Sequence, residues 1–88
     1  MQLPIINLNG TAASDLLEQH QTVARDLRSA VQALQEACPH GRDYQTLGGE
    51  KASEALHRAL DEHSNRLLKL RQVLAEMETI VEHVFRGK

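Results

Sequence analysis

A chain of 88 residues and 9.8 kDa has room for one small domain, hiding about 64 % of its unfolded surface at best. Its apolar share is 41 %, but ten of those residues are alanine and the aromatics are Tyr44 and Phe85, so a lone monomer has a thin core and needs a staple or a partner. One cysteine excludes an internal disulfide and a cysteine-rich zinc site, and a formal charge of −2 excludes nucleic-acid binding by bulk electrostatics.

Residues 1–10 read as an N-terminal arm. Leu3-Pro4-Ile5-Ile6-Asn7-Leu8 is β-branched and extended in character and ends in an Asn9-Gly10 turn signal. Pro4 argues against a central strand and for an extended segment laid on an apolar surface. Met1–Asn9 has no basic stretch and too short an apolar run for a secretory signal. No segment approaches the ~18 apolar residues of a membrane span, and a single free thiol, Cys38, suits a reducing compartment. A cytoplasmic protein is expected.

The first helix is expected over residues 12–38, with Thr11 or Ser14 as N-cap and Asp15 and Glu18 near the positive end of its dipole. Leu16, His20, Val23, Leu27, Ala30, Leu34 and Ala37 recur in steps of four and three, widened by Leu17, Ala24, Val31 and Cys38 one position on. Pro39 and Gly41 end it. A loop over 39–49 leads to a second helix over 50–86, where Leu56, Leu60, His63, Leu67, Leu70, Leu74, Met77, Val81 and Val84 keep the same rhythm without a Pro or Gly.

The fold class is therefore all-α, an antiparallel two-helix hairpin with a short extended arm, oligomerising into a helical bundle. The second helix is longer by about 14 Å at 1.5 Å per residue. In a hairpin its last two turns, with Ile80, Val81, Val84 and Phe85, are expected to overhang, and the arm is placed to cover them. Apolar positions beyond one seam predict a dimer or higher oligomer, with Leu17, Val31, Leu68, Val73 and Phe85 as its interface and a four-helix bundle as its simplest form.

The loop holds the densest chemistry. His40 can donate or carry charge near neutral pH, Arg42 offers a planar fork for phosphate or carboxylate, and Tyr44 supplies a stacking face. Gly48-Gly49 leaves backbone N–H groups open to an anion at a helix N-terminus. These five residues form a candidate ligand site for an anionic, nucleotide-like molecule. The same loop also reads as a plug, with Tyr44 and Leu47 closing the bundle end while Arg42 and Asp43 pair locally.

Other patterns carry less. Glu54-x-x-His57 has di-metal spacing, but Glu54 lies off the seam and the further inward carboxylates are missing, so no metal and no cofactor are expected. His20 and His63 sit on seam positions, as core histidines or as groups sensing pH. Glu54, Arg58, Glu62 and Arg66 form an alternating ridge of weak ion pairs on a solvated face. Arg66, Lys69 and Arg71 cluster, but without aromatics they make a poor nucleic-acid groove. Nothing resembles a nucleophile–base pair with an orienting group, so no catalytic residue and no enzyme are expected.

The layout Leu-Asn-Gly-Thr at 8–11, Leu-Leu-Glu-Gln at 16–19, Pro-His-Gly-Arg-Asp-Tyr at 39–44 and Glu-His at 62–63 resembles small uncharacterised proteins of tailed bacteriophages. The resemblance spans nearly the whole chain, with the 39–44 turn as its distinctive element, and implies no activity. In architecture the chain is loosely similar to the phage sponge proteins that sequester cyclic nucleotide signals of bacterial immunity. Those are oligomerising helical hairpins with an Arg-acid turn after a proline. The likeness implies a non-enzymatic, anti-defence binding protein of the host cell cytoplasm, sequestering an anionic nucleotide-like ligand. The rivals are an interaction module or inhibitor docking on a host or phage protein by its helix faces or arm, and a structural virion component.

Overall fold

Uninterrupted four-three spacing in two stretches produces two long helices in the computed structural model, which describes residues 1–6 and 12–87. Helix α1 is Ala13–Glu36 and helix α2 is Gly49–Arg86, packed against one another as a helical hairpin. Two short 3₁₀ turns, Gly41–Asp43 and Gln45–Leu47, connect them. No strand occurs among the described residues, and no described helix is long and apolar enough to cross a membrane. Asn7, Leu8, the Asn9-Gly10 turn signal and the candidate cap Thr11 lie outside the described residues.

Helix α1 starts from Ala12, which makes no side-chain cap. Ser14 lies inside the first turn instead of capping it. At the other end the N–H of Ala37 bonds the carbonyls of Ala33 and Leu34, after which Pro39 cannot continue the ladder. Helix α2 opens at Gly49 after Gly48, and the φ angles of these two residues, 51° and 72°, are left-handed. A Cβ at either glycine would meet nothing within 4 Å, so the backbone dihedral and not space is what requires glycine there. The last turn of α2 carries His83 and Arg86, which suit its negative end.

The seam on α1 is rotated by one residue from the expected one. Leu17 and Ala24 are buried at 7 % and 1 % exposure, whereas Val23 is 43 % exposed and Ala30 and Ala37 lie on the surface. His20, Leu27 and Leu34 belong to both stripes and are half-buried. The small side chain of Ala24, in a cleft with Val81, allows close approach of the helices. Leu17 is hidden within the chain itself, and Val31 is half-buried, so neither is the exposed interface residue that the pattern implied. Leu68 and Phe85 are 55 % and 64 % exposed.

The overhang is also at the other end of α2. Leu34, near the end of α1, shares a groove with Leu70 and Val73, while Gln21 and Ala24 lie by Val81. The first five turns of α2 therefore run beyond α1, and the connecting segment folds back over them: Pro39 and Tyr44 lie against Ala55 and Ala59. The arm docks at the far end of α2. His83 Nε2–H donates to the Pro4 carbonyl at 2.9 Å, and Ile6 lies so close to Gly87 that a Cβ there would come within 2.8 Å of its Cδ1.

Val84 is fully buried, the largest side chain so placed among the described residues. Val84→Ala removes two buried methyls and leaves a cavity, and is expected to cost about 2–3 kcal/mol. Urea unfolding followed by circular dichroism reads this as a lower midpoint at unchanged slope.

Candidate functional site

The 39–47 segment is shaped by its own backbone and one carboxylate. Asp43 N–H bonds the His40 carbonyl at 3.0 Å, Tyr44 N–H bonds the Gly41 carbonyl at 3.1 Å, and Asp43 Oδ2 accepts from the His40 N–H at 3.1 Å. Asp43 thus braces the turn, and no Arg42–Asp43 ion pair forms among the described residues. Gly41 lies against α2, its position for a Cβ being 3.9 Å from Leu56 Cδ2.

This bracing presents Tyr44, half-buried, to a cleft of about 360 Å³ lined by Pro39, Tyr44, Ala55, Arg58, Ala59, Glu62 and Arg66. The alanines give it a floor, Tyr44 a flat wall, and Arg58 and Arg66 two guanidinium forks. Arg66 NH2 donates to Glu62 Oε2 at 3.4 Å, with both side chains more than half exposed, a pairing worth a few tenths of a kcal/mol. Arg58 makes no ion pair among the described residues. An aromatic face beside two forks is chemistry that stacks a flat ring and holds a phosphate or carboxylate.

Of the residues expected to form the loop site, the structure brings Tyr44 to this cleft. His40, Arg42, Gly48 and Gly49 are exposed and line none of its wall, and Leu47, the second half of the supposed plug, is 52 % exposed. Arg58 and Arg66 were visible in the sequence as members of the alternating ridge. What the ridge could not reveal is that the connecting segment folds back beside it. Cys38 is exposed. Glu54 and His57 are exposed, and the described residues hold no group of three or more His, Cys, Asp or Glu able to hold a metal.

The two seam histidines differ. His20 Nδ1–H donates to the Leu16 carbonyl one turn back, at 2.8 Å. His63 is buried at 6 % exposure, and its Nε2 has no hydrogen-bond partner among the described residues. No family profile matches the chain, and no match was found among curated proteins or solved structures.

An unpartnered buried nitrogen costs on the order of 1 kcal/mol or more. His63→Leu, close in volume and apolar, is expected to leave the fold intact and raise its stability by about 1 kcal/mol. A rise in the urea midpoint checks this, with helicity unchanged.

Proposed function

We propose that this chain is a non-enzymatic binding protein of the phage accessory, anti-defence type. Its helices run antiparallel, the hairpin self-associates, and the loop end holds an anionic, nucleotide-like ligand. The antiparallel arrangement is supported by contacts whose numbers fall along one helix as they rise along the other: Ala24 by Val81, Arg28 with Glu78 at 3.8 Å, Leu34 by Leu70. Self-association is supported by shape. The radius of gyration is 19.3 Å and the long extent 64 Å, against about 12 Å for the radius of a compact chain of this length.

The observation that carries the ligand reading is the cleft that Tyr44 lines together with Arg58 and Arg66. A base or similar flat ring stacks on Tyr44 while phosphate oxygens take the guanidinium forks, and Arg42 lies on the same braced turn, outside the cleft wall. Sequestration needs no bond made or broken. A second reading, a module docking on a host or phage protein, draws on the arm, where Ile5 is 81 % exposed although Pro4 is held by His83.

Calorimetric titration with cyclic di-adenylate and with adenosine triphosphate tests the ligand reading. Saturable binding of either probe at one site per chain is expected. Tyr44→Ala and Arg58→Ala should each weaken it about tenfold or more, with helicity retained. Absence of binding of both probes, or binding indifferent to both substitutions, removes the cleft as a nucleotide site and leaves the docking module.

A further inference from the structure

We infer that a second copy of this chain packs on one particular flank of the hairpin, related by a twofold axis that crosses that flank at Val73. The inference rests on the self-associating antiparallel hairpin proposed above and assigns its face and register. On α1 the seam residues Leu17, Ala24 and Val31 are each preceded by an apolar residue, Leu16, Val23 and Ala30. On α2 the seam residues Leu60, Leu67, Leu74 and Val81 are preceded by Ala59, Arg66, Val73 and Ile80, apolar but for Arg66.

The other flank, after the second seam row, carries Gln21, Arg28 and Gln35 on α1 and Ser64, Arg71 and Glu78 on α2, with Phe85 its one apolar residue near the end of α2, and there Arg28 pairs with Glu78. Reversing one helix brings like flanks to the same side, as that pair demonstrates. The largely apolar flanks of α1 and α2 therefore share one face, broken on α2 by Arg66, while the largely polar flanks share the other. Three apolar positions in seven is the pattern of a helix in a bundle, since a two-stranded seam uses two.

This face is open. Val23 and Val73 are 43 % and 45 % exposed, and a groove of about 300 Å³ runs between Leu34, Leu70 and Val73, bordered by Arg66 and Lys69. The chain exposes 6641 Å², about 1,400 Å² more than a compact protein of its mass. A standard interface removes about 800 Å² from each partner, so one such contact accounts for a large part of the excess.

Charge sets the occupant and its orientation. The rim carries Glu62, Arg66 and Lys69 on the loop side of Val73, with Arg66 bonded to Glu62 and the net charge positive, and Asp26 and Glu76 on the arm side, all exposed. With Arg28 level with Glu78, Asp26 is level with Ile80, seven residues beyond Val73, as Arg66 is seven before it. A twofold axis at Val73 thus sets each Arg66 level with Asp26 of the second copy, and each Lys69 within one residue of its Glu76. Loops packed together would stack Arg66 on Arg66 and Lys69 on Lys69, which like-charge repulsion disfavours. The two Tyr44 clefts then lie at opposite ends of the pair.

Sedimentation equilibrium of the full chain is expected to give twice the 9.8 kDa chain mass. Val73→Lys should weaken association about tenfold or more by burying an unpaired charge, while Leu68→Lys, on the outer surface of α2, changes nothing. Lys69→Glu and Glu76→Lys, each self-repelling, should pair preferentially with one another when mixed. Native mass spectrometry with one variant isotopically labelled reads that preference, and it reads the register even where Val73→Lys fails to fold. A monomeric wild type overturns both this inference and the oligomer proposed above. A dimer indifferent to Val73→Lys and without mixed-pair preference overturns the face alone, and the nucleotide reading is decided separately through Tyr44→Ala and Arg58→Ala, which lie outside this face.

Discussion

Two helices that meet along a single seam can each conceal one stripe of side chains, and this chain has more apolar surface than two stripes hold. The hydrophobic residues that sink fully are Leu17, Ala24 and Val84 among those described, and one of them is an alanine. The fourth buried residue is a histidine with a bare nitrogen. Such a core offsets little of the entropy of ordering a chain of this length. The remaining stabilisation has to be found at the flanks, which is where the two faces of the hairpin part company, one largely polar with an exposed ion pair and the other largely apolar.

The unequal helices have a second effect. Because α1 stops short, the early turns of α2 would present Ala55, Leu56, Ala59 and Leu60 to water, and the connection is long enough to return over them. Asp43 folds that connection into a brace, and Tyr44 and Pro39 come down on the alanine ridge. The cleft is thus a product of the same length mismatch. Small residues along one side and a single aromatic on the other leave space that larger side chains would have filled.

Both helices were legible because their apolar residues repeat in an unbroken rhythm and Pro39, Gly48 and Gly49 punctuate it. The seam of α1 was not legible, for a compositional reason. Leu16, Val23 and Ala30 hold the same three residue types as Leu17, Ala24 and Val31, so hydrophobicity cannot rank the two stripes. What ranks them is the order of the small residue, with Ala24 meeting Val81. The place of the overhang was lost for a related cause: helix lengths are written in the pattern, but the register between helices comes from packing between residues some fifty apart, which the Arg28–Glu78 pair marks. At the cleft, Tyr44 stood out as the loop's one aromatic side chain, whereas Arg58 and Arg66 looked like ordinary members of a solvated ridge. A helical wheel records which residues share a face, and says nothing of a loop that returns to lie against it.

The two left-handed glycines at the start of α2 bear on more than a turn. From Gly41 onward the backbone is already helical in short pieces, 41–43 and 45–47, before the long helix begins at Gly49. Gly48 is the break that keeps the last of these from running straight into α2. Any residue with a Cβ at 48 shifts the local balance toward right-handed dihedrals, and hence toward an α2 that reaches back through the two short turns to Gly41. The break at Pro39 and His40 would remain, so α1 would still leave the rod where it does now. What would be lost is the fold of the segment that sets Tyr44 beside α2, so one glycine junction holds the cleft open without touching it.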